Sequence, residues 1–393
     1  MVEYASKSYG RGTEVSAIYA HFNAHRDISM AGPRRLGKTF VLDRLVDSAP
    51  RFEWMAVKVE VGGCSDPRGF FRVLCDRIGA VRSGGSTVLI WLQQRLGQLV
   101  VPRSETSGEW YQPLISLDHE SYFERLIKAL DEDRDRRWAL LIDELPIFLK
   151  ALHDKGPDGV VAARNFMNLT GRLRAECPRV RWMITGSIGL EPLAAAGDYM
   201  GVLAKFDPFK LEPLTEDQAR TFIQDIAREG RLLYRQVITD AEAAALVAAV
   251  GWRSAYYLEA LAKKLLGPPS DDLAGAQQLV EEAVQHLLAP GEAATFGVWE
   301  EHLRKHYRDD ERRLAFAILS ALAQHATDLS LDALLAANGR ADVPRADLRR
   351  ILTRLYVEGF VTVSDWDGDN PRASFLNPLL RRWWKRFPPQ AVA

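Results

Sequence analysis

The chain has 393 residues, enough for two or three domains, and its 47% hydrophobic and 26% charged residues are typical of a globular protein. A net charge of −1 excludes a general attraction to nucleic acid or to an anionic membrane, so such a partner would need a local basic patch. No run approaches the roughly eighteen apolar residues that cross a bilayer, and residues 1–12 lack the apolar core of a signal peptide. We therefore expect a cytoplasmic protein with no membrane partner, in which Cys64, Cys75 and Cys177 are reduced core thiols.

The first elements predict an α/β unit built around a glycine-containing loop. Residues 15–23 have a helical pattern, 28–31 form a short apolar strand, and 40–47 form a second helix with apolar residues on one side. Between that strand and that helix the sequence reads G-x-x-x-x-G-K-T, the pattern of a phosphate-binding P-loop in the strand–loop–helix context it requires. The residues expected to contact the phosphate-bearing ligand are those of the loop, Gly32, Pro33, Arg34, Arg35, Leu36, Gly37, Lys38 and Thr39, and the Phe40 that follows it.

The chemistry of this loop predicts binding of a nucleoside triphosphate. Glycines let backbone N–H groups point inward, and the positive end of the following helix favours a polyanion. We expect Lys38 to reach the β- and γ-phosphates and Thr39 to ligate Mg²⁺. The alternative is a glycine-containing helix start that binds nothing.

The segment after the loop and its helix contains a strand, a helix and a long insertion. Residues 53–61 are predicted as a strand and 70–78 as a helix. Residues 84–119 are interpreted as an insertion, with an amphipathic helix around 88–99 and a polar stretch at 102–113. A surface insertion and a partner-binding segment are both consistent with it.

Two carboxylates follow a buried strand at residues 138–144. Four apolar residues precede Asp143 and Glu144, which places the acids at the carboxyl end of the strand, where α/β sheets bind ligands. We expect Asp143 to hold Mg²⁺ and Glu144 to polarise the attacking water. The alternative is an Asp-Glu helix cap.

A further strand at 180–185 ends in hydroxyl side chains. Thr185 or Ser187 at its tip can contact the γ-phosphate or the water that attacks it, and ordinary turn residues are the alternative. The preceding helix, expected at 162–176, carries Arg172 and Arg174, from which an arginine finger toward a neighbouring subunit can project.

The second half of the chain is predicted to be helical and then to end in a winged helix. Residues 216–288 read as helices, beginning with a capping-box pattern at Thr215 and Gln218. From residue 311 the pattern is three helices followed by two strands. The third of these helices carries four arginines that can contact DNA, although residues 290–393 contain 15 Lys/Arg and 14 Asp/Glu. Docking to a protein or to the chain's own domains is the competing interpretation.

Several stretches together resemble a known family, the archaeal-type ATPases of the STAND and AAA-related group. These stretches are Gly10-Arg11, Gly32 to Thr39, Leu141 to Leu145, Thr185 to Leu190 and Leu211 to Glu216. The resemblance covers roughly residues 9–385 in order. It implies an AAA-like P-loop NTPase domain with a parallel sheet at 1–210, a helical lid at 211–290 and a winged-helix domain at 291–393.

The resemblance also implies roles for individual residues. It makes Lys38 and Glu144 catalytic, Thr39 and Asp143 metal ligands, and Ser187 a sensor of the γ-phosphate.

Two further residues are expected at the nucleotide. The resemblance places Arg11 near the base or ribose and Arg253 at the γ-phosphate. The corresponding lid motif, Gly251 to Tyr257, lacks the proline that relatives carry.

Three functional hypotheses follow. The first is a nucleotide-dependent conformational switch that slowly hydrolyses ATP to ADP and phosphate with Mg²⁺, acting on a protein partner or on its own domains through the winged helix. The second is an ATP-regulated DNA-binding protein or loader. The third is an interaction protein that is stabilised by nucleotide and does not hydrolyse it. Oligomerisation is compatible with each.

Overall fold

The computed structural model describes residues 9–79, 82–83, 86–87, 119–337 and 343–388. The helix predicted around 88–99 and the polar stretch at 102–113 lie outside the described residues. The chain divides into two compact units, one formed by residues 1–32 and 38–211 and the other by 33–37 and 212–393. The predicted boundary between lid and winged helix stays a prediction.

The first unit is built on a parallel sheet of five strands. Their bounds are β1 Ile28–Ala31, β2 Met55–Glu60, β5 Trp138–Asp143, β6 Val180–Gly186 and β7 Asp207–Pro208, while β3 Arg82–Ser83 and β4 Ser86–Thr87 form a separate two-stranded sheet. The strand order is β2-β5-β6-β1-β7, and all neighbouring pairs are parallel. Each connection between parallel strands requires a crossover, which the helices supply. All carboxyl ends therefore meet at one edge.

Helices cover this sheet and fill its core. They are α1 Gly12–Asn23, α2 Lys38–Ser48, α3 Pro67–Gly79, α4 His119–Asp131, α5 Leu145–His153, α6 Pro157–Glu176, α7 Glu191–Gly197 and α8 Met200–Leu203, with a 3₁₀ turn at Ala49–Phe52. Every residue of β5 and β6 is buried, as expected for central strands covered on both faces. The aromatic rings of Phe70, Phe148 and Phe166 pack against one another in the core.

The second unit begins with four helices. They are α9 Glu216–Arg228, α10 Asp240–Val250, α11 Ala255–Ala262 and α12 Leu273–Leu287. The predicted capping box of α9 is present, with the Thr215 hydroxyl accepting from the Gln218 N–H and the Gln218 side chain accepting from the Thr215 N–H. Thr239 and Glu242 form the same arrangement at the start of α10.

The remainder of this unit has a winged-helix arrangement. After a 3₁₀ turn at Pro290–Glu292 come α13 Ala293–His306, α14 Asp309–Gln324, β8 Leu329–Ser330, α15 Leu331–Ala337, α16 Arg345–Val357, β9 Val361–Ser364, β10 Arg372–Phe375 and α17 Pro378–Arg386. The three strands are antiparallel in the order β8-β10-β9. Trp383 and Trp384 are buried and belong to the core of this unit.

Within the described parts of the chain, no helix is both long and apolar enough to cross a bilayer. Cys75 and Cys177 are buried free thiols and Cys64 is half-buried. Burial is the leading cause that raises the pKa of Cys177, to about 11.

Candidate functional site

The loop predicted to bind phosphate connects β1 to α2. Gly37 has a φ of 103°, a conformation that L side chains rarely adopt, and Arg35 has a φ of 66°. Lys38 is the first residue of α2 and is buried, and its Nζ donates to the Gly32 carbonyl oxygen at 2.6 Å. The loop therefore closes on itself through its own lysine.

One carboxylate joins the loop to two strands of the sheet. Asp143, the last residue of β5, is 1% exposed. Its Oδ2 accepts a hydrogen bond from the Thr39 hydroxyl at 3.0 Å, and its Oδ1 accepts one from the Thr185 hydroxyl. The first of these bonds spans 104 positions of sequence. The structure thus brings together the two halves of the predicted site.

Glu144 has a constrained backbone and a well-defined partner. Its φ of 60° and ψ of 36° lie in the left-handed region, at the N-cap of α5. Non-glycine residues in this region cost free energy and often occur at functional sites. Its Oε2 accepts from the Ser187 N–H at 3.0 Å and from the Ser187 hydroxyl at 2.9 Å. Ser187, the predicted sensor, therefore contacts the predicted catalytic carboxylate.

A third acid, Glu60, lies at this edge of the sheet and was not predicted. It is the last residue of β2 and is in register with Asp143. Burial is the leading cause that raises the pKa of Glu60, and the charges of Asp143 and Glu144 raise it further. The Gly62 N–H donates to its Oε1 at 2.9 Å, which opposes the rise.

The oxygens at this edge suit a hard divalent cation. Mg²⁺ prefers carboxylate and hydroxyl oxygens and retains several of its waters. The Thr39 hydroxyl and the Asp143 carboxylate lie side by side, and the charges of Asp143 and Glu144 already raise the pKa of Glu60. A cation would relieve this repulsion between carboxylates. The residues present therefore fit the predicted metal.

Residues 33–37, the tip of the loop, belong to the second compact unit. There the Ser254 hydroxyl donates to the Arg35 carbonyl oxygen, and the Arg35 guanidinium carbon lies 4.1 Å from the centre of the Tyr256 ring. A β-carbon on Gly359 would lie 2.3 Å from the side chain of Pro33, so only glycine fits there. Sequence reasoning did not single out Ser254, Tyr256 or Gly359.

The remaining predicted nucleotide contacts are involved in local interactions. The Nε of Arg253 donates to the Leu214 carbonyl at 2.7 Å. Arg11 is buried, and its Nη1 lies 2.7 Å from the Glu14 carboxylate. The Phe40 ring centre lies 6.0 Å from that of Tyr9. These three side chains stay predicted nucleotide contacts.

The two candidate arginine fingers have intramolecular partners. Arg172 is half-exposed and pairs with Glu124 at 2.8 Å. The side chain of Arg174 is 6% exposed and its Nε lies 2.7 Å from the Asp27 carboxylate. The idea that Arg174 projects toward a neighbouring subunit is therefore wrong, because its guanidinium points into its own unit.

Solved structures give the comparison that decides the fold. The Walker-type ATPase PABY2304 of Pyrococcus abyssi matches with a TM-score of 0.64 and 15% identity over 95% of each chain. This chain has the fold of a Walker-type ATPase. The Aeropyrum pernix ORC2 protein, in a structure of its ADPNP-ADP complexes, matches this Walker-type fold with a TM-score of 0.50 and 13% identity, over 93% of this chain and 89% of that one. Neither a protein-family model nor a curated protein matches the sequence.

The likeness confirms the predicted fold class of this chain. An AAA-like parallel sheet, a helical segment and a winged helix follow one another as expected. Glu60 could have been found from the sequence, because it closes a strand that the alternating pattern already predicted. Its position beside Asp143 depends on strand order, which the sequence pattern does not give.

Proposed function

We propose that this chain binds ATP with Mg²⁺ and hydrolyses it slowly as a conformational switch. The observation that carries the proposal is the hydrogen bond between Thr39, directly after the lysine of the loop motif, and Asp143 at the tip of a buried strand. Phosphoryl transfer depends mainly on positioning and charge compensation, and the oxygens of these two residues lie where the strands end, placed to hold a Mg²⁺ that would supply the compensation.

Each residue has a distinct task in this proposal. Lys38 leaves the Gly32 carbonyl and pairs with the β- and γ-phosphates. Thr39 and Asp143 would hold Mg²⁺, which supplies charge neutralisation of the phosphates when bound. Glu144 orients the attacking water and accepts its proton.

The contacts of Glu144 support slow turnover. One carboxylate oxygen already accepts two hydrogen bonds from Ser187. These two bonds occupy acceptor positions of the carboxylate that a water molecule would need. Turnover then requires Glu144 to exchange a bond to Ser187 for one to water.

The loop tip supports the switch. Phosphate binding needs the backbone N–H groups of residues 34–37 to face the ligand, since Pro33 has none. In this loop Ser254 and Tyr256 contact Arg35, and Gly359 lies against Pro33. A change in the loop on nucleotide binding is thereby transmitted to α11 and to the turn after α16, which biases the partner-binding state.

The test separates binding from chemistry. Lys38→Ala is expected to weaken ATP binding on the order of 100-fold, or about 2.7 kcal/mol, in calorimetry. Glu144→Gln is expected to bind ATP normally and to lower phosphate release about 10²- to 10⁴-fold. Glu191→Gln, an exposed acid in the same unit, is the matched control. Parental turnover in Glu144→Gln would refute the catalytic assignment.

The contacts of the winged helix favour a protein or intramolecular partner over DNA. Arg345 contacts Asp332, Arg349 contacts the Trp366 carbonyl, and Arg354 contacts Glu358 and the His306 carbonyl. Arg350 pairs with Glu311. Binding to phosphates would require these arginines to give up their partners.

A mobility-shift assay with duplex DNA distinguishes a protein or intramolecular partner from a DNA partner. The switch predicts no salt-dependent mobility shift with duplex DNA at low salt. A shift that disappears in Arg349→Glu/Arg350→Glu would instead support the DNA-binding alternative.

Two further measurements test hydrolysis and assembly. Steady-state phosphate release distinguishes the switch from a protein that binds ATP without hydrolysing it. Mass photometry with and without ATP and Mg²⁺ reports whether nucleotide changes the oligomer.

A further inference from the structure

The winged-helix part of the second unit exposes large apolar side chains on one side. Tyr356 and Val357, in the last turn of α16, are 42% and 38% exposed. Residues 365–371 connect β9 to β10 and form the wing. The ring of Trp366 in the wing is half-buried and lies 5.3 Å from the Tyr356 ring, edge to face. The helix and the wing therefore share one patch, the α16 patch, made of Tyr356, Val357 and Trp366.

Two arginines of α16 hold the wing in place. The Arg349 guanidinium donates to the Trp366 carbonyl oxygen, and the Arg345 guanidinium donates to the Asp369 carbonyl oxygen. A surface that is ordered before binding loses less conformational entropy when a partner binds. The α16 patch is therefore pre-organised by contacts that α16 makes with the backbone of the wing.

The wing carries three exposed carboxylates beside this patch. They are Asp365, Asp367 and Asp369. None of them forms an ion pair within the described part of the chain, where Arg345 pairs with Asp332 and Arg372 pairs with Asp328 instead. Arg349 contacts a carbonyl oxygen and keeps one positive charge. Three negative charges against one positive charge make the surface around the patch net negative.

This charge is unfavourable for two kinds of partner. The phosphates of DNA would be repelled by the wing carboxylates. In a symmetric dimer of this chain the same patch would face itself across the twofold axis, so the carboxylates of the two wings would approach each other. Like charges that meet in an interface cost free energy, whereas a positively charged partner gains it.

The size and composition of the patch indicate the form of this partner. Exposed aromatic side chains next to an aliphatic one are typical of protein-binding surfaces. Three partly exposed side chains offer far less than the roughly 800 Å² per partner of a standard protein interface. The patch therefore suits a short segment of a partner and not a second globular surface.

We propose that the α16 patch binds a short amphipathic segment of a partner protein that carries lysine or arginine beside its apolar residues. The apolar side chains of the segment pack on Tyr356, Val357 and Trp366, and its cations lie against Asp367 and Asp369. This inference rests on the proposed function, in which the switch acts on a protein partner through its winged helix.

The test uses the full chain and two labelled peptides of about 14 residues, or four helical turns, in fluorescence anisotropy. Both peptides have leucines at helical spacing, and the remaining positions are lysine in one and glutamate in the other. The lysine peptide is expected to bind with roughly micromolar affinity, and the glutamate peptide at least about tenfold more weakly. The difference should shrink as salt is added, because salt screens exposed charges.

A first pair of variants tests the apolar contact. Tyr356→Ser/Val357→Ser should weaken binding of the lysine peptide about tenfold or more, because aromatic side chains often dominate the affinity of an interface. Val161→Ser/Met200→Ser is the matched control, since these apolar residues of the first unit are 48% and 44% exposed. The control should bind the peptide like the parent.

A second pair of variants tests the charge and leaves the apolar side chains unchanged. Asp367→Asn/Asp369→Asn should weaken binding of the lysine peptide about fivefold at low salt. Asp271→Asn/Glu282→Gln removes the same charge from exposed positions of the second unit and should have no effect. All four acids are exposed, so each variant is expected to fold, and a thermal melt checks this.

Calorimetry with ATP on the same proteins separates this test from the nucleotide proposal. Every variant should bind ATP like the parent. Parental ATP binding without peptide binding refutes the α16 patch alone, and peptide binding in a parent chain that does not bind ATP refutes the nucleotide proposal alone. The α16 patch is also wrong if the two peptides bind equally, if patch variants and their controls bind alike, or if labelled duplex DNA binds more tightly than the lysine peptide.

Discussion

Replacement of Glu358 should strongly destabilise the winged-helix part of the second unit. Its carboxylate is almost fully buried after α16. One oxygen accepts from His302 Nε2 at 2.8 Å and from the Tyr307 hydroxyl at 2.9 Å, and the other accepts from Arg354 Nε at 3.0 Å. Each charge-assisted bond contributes about 1.5–3 kcal/mol. Glu358→Gln turns one of these acceptors into a donor, so we expect a loss of about 3–5 kcal/mol.

The acid range provides an independent check of the same contact. Burial raises the pKa of Glu358, but the hydrogen bonds and charges of His302 and Arg354 outweigh it, and the pKa lies below its ordinary value. A carboxyl whose folded-state pKa is lowered stabilises the protein fully above its unfolded value of about 4.3. This contribution is lost as the pH falls through the lower folded-state value. Glu358→Gln should lack that part of the pH dependence.

Hydrogen exchange is the appropriate assay, because a chain of two units need not unfold in one step. Peptides from α13 and α16 report the opening free energy of this region. Glu301→Gln, which removes an exposed acid of α13, should show no measurable change. An opening free energy for Glu358→Gln within about 1 kcal/mol of the parent at pH 7 would refute the reasoning.

Three other substitutions or reactions test separate parts of the structure. Gly186→Ala would place a β-carbon 2.3 Å from Pro146 Cγ and should lower the free energy of unfolding by about 1–3 kcal/mol in thermal melts. Gly63→Ala is the control, because a β-carbon there has no neighbour within 4 Å. Equal effects of the two substitutions would contradict the close approach. Thr239→Ala removes the acceptor for the Glu242 N–H and the donor to the Ser270 carbonyl. The opening free energy of α10, measured by hydrogen exchange, should therefore fall by about 1–2 kcal/mol. Thr353→Ala, at an exposed position, is the control, and an equal loss in the two variants would count against the cap. Iodoacetamide at pH 7.5 should modify half-buried Cys64 well before buried Cys177, because a pKa of about 11 leaves Cys177 with few thiolates. Mass spectrometry that shows the reverse order would be inconsistent with this burial.

The elements of the candidate site could be predicted because they are local in sequence. A strand followed by a G-x-x-x-x-G-K-T loop and a helix needs only a short window, and so does an apolar strand ending in Asp143 and Glu144. The predicted strand at 28–31 matches β1, and the segment predicted at 138–144 contains β5, which ends one residue earlier, at Asp143. Helix starts were less well predicted, since α6 begins at Pro157 and not at residue 162.

Apart from Thr39 and Asp143, which two motifs assign to one metal site, side-chain pairs over long sequence separations could not be predicted. The pair of Asp27 with Arg174 spans 147 positions, and the four arginines of α16 gain their partners only when the winged helix packs. A surface arginine and a buried one look alike in a helical pattern, because both occupy polar positions. The amphipathic pattern therefore gave the face of the helix but not the partner of each charge.

The left-handed backbone at position 144 implies a trade-off between thermal stability and catalytic activity. Asparagine or glycine adopts this conformation more readily than glutamate, so either would relieve backbone strain of roughly 1–2 kcal/mol while removing the acid. Laboratory evolution under heating alone would drift toward such replacements. If selection for ATP turnover is added to heating and glutamate is then retained, activity outweighs thermal stability at this position.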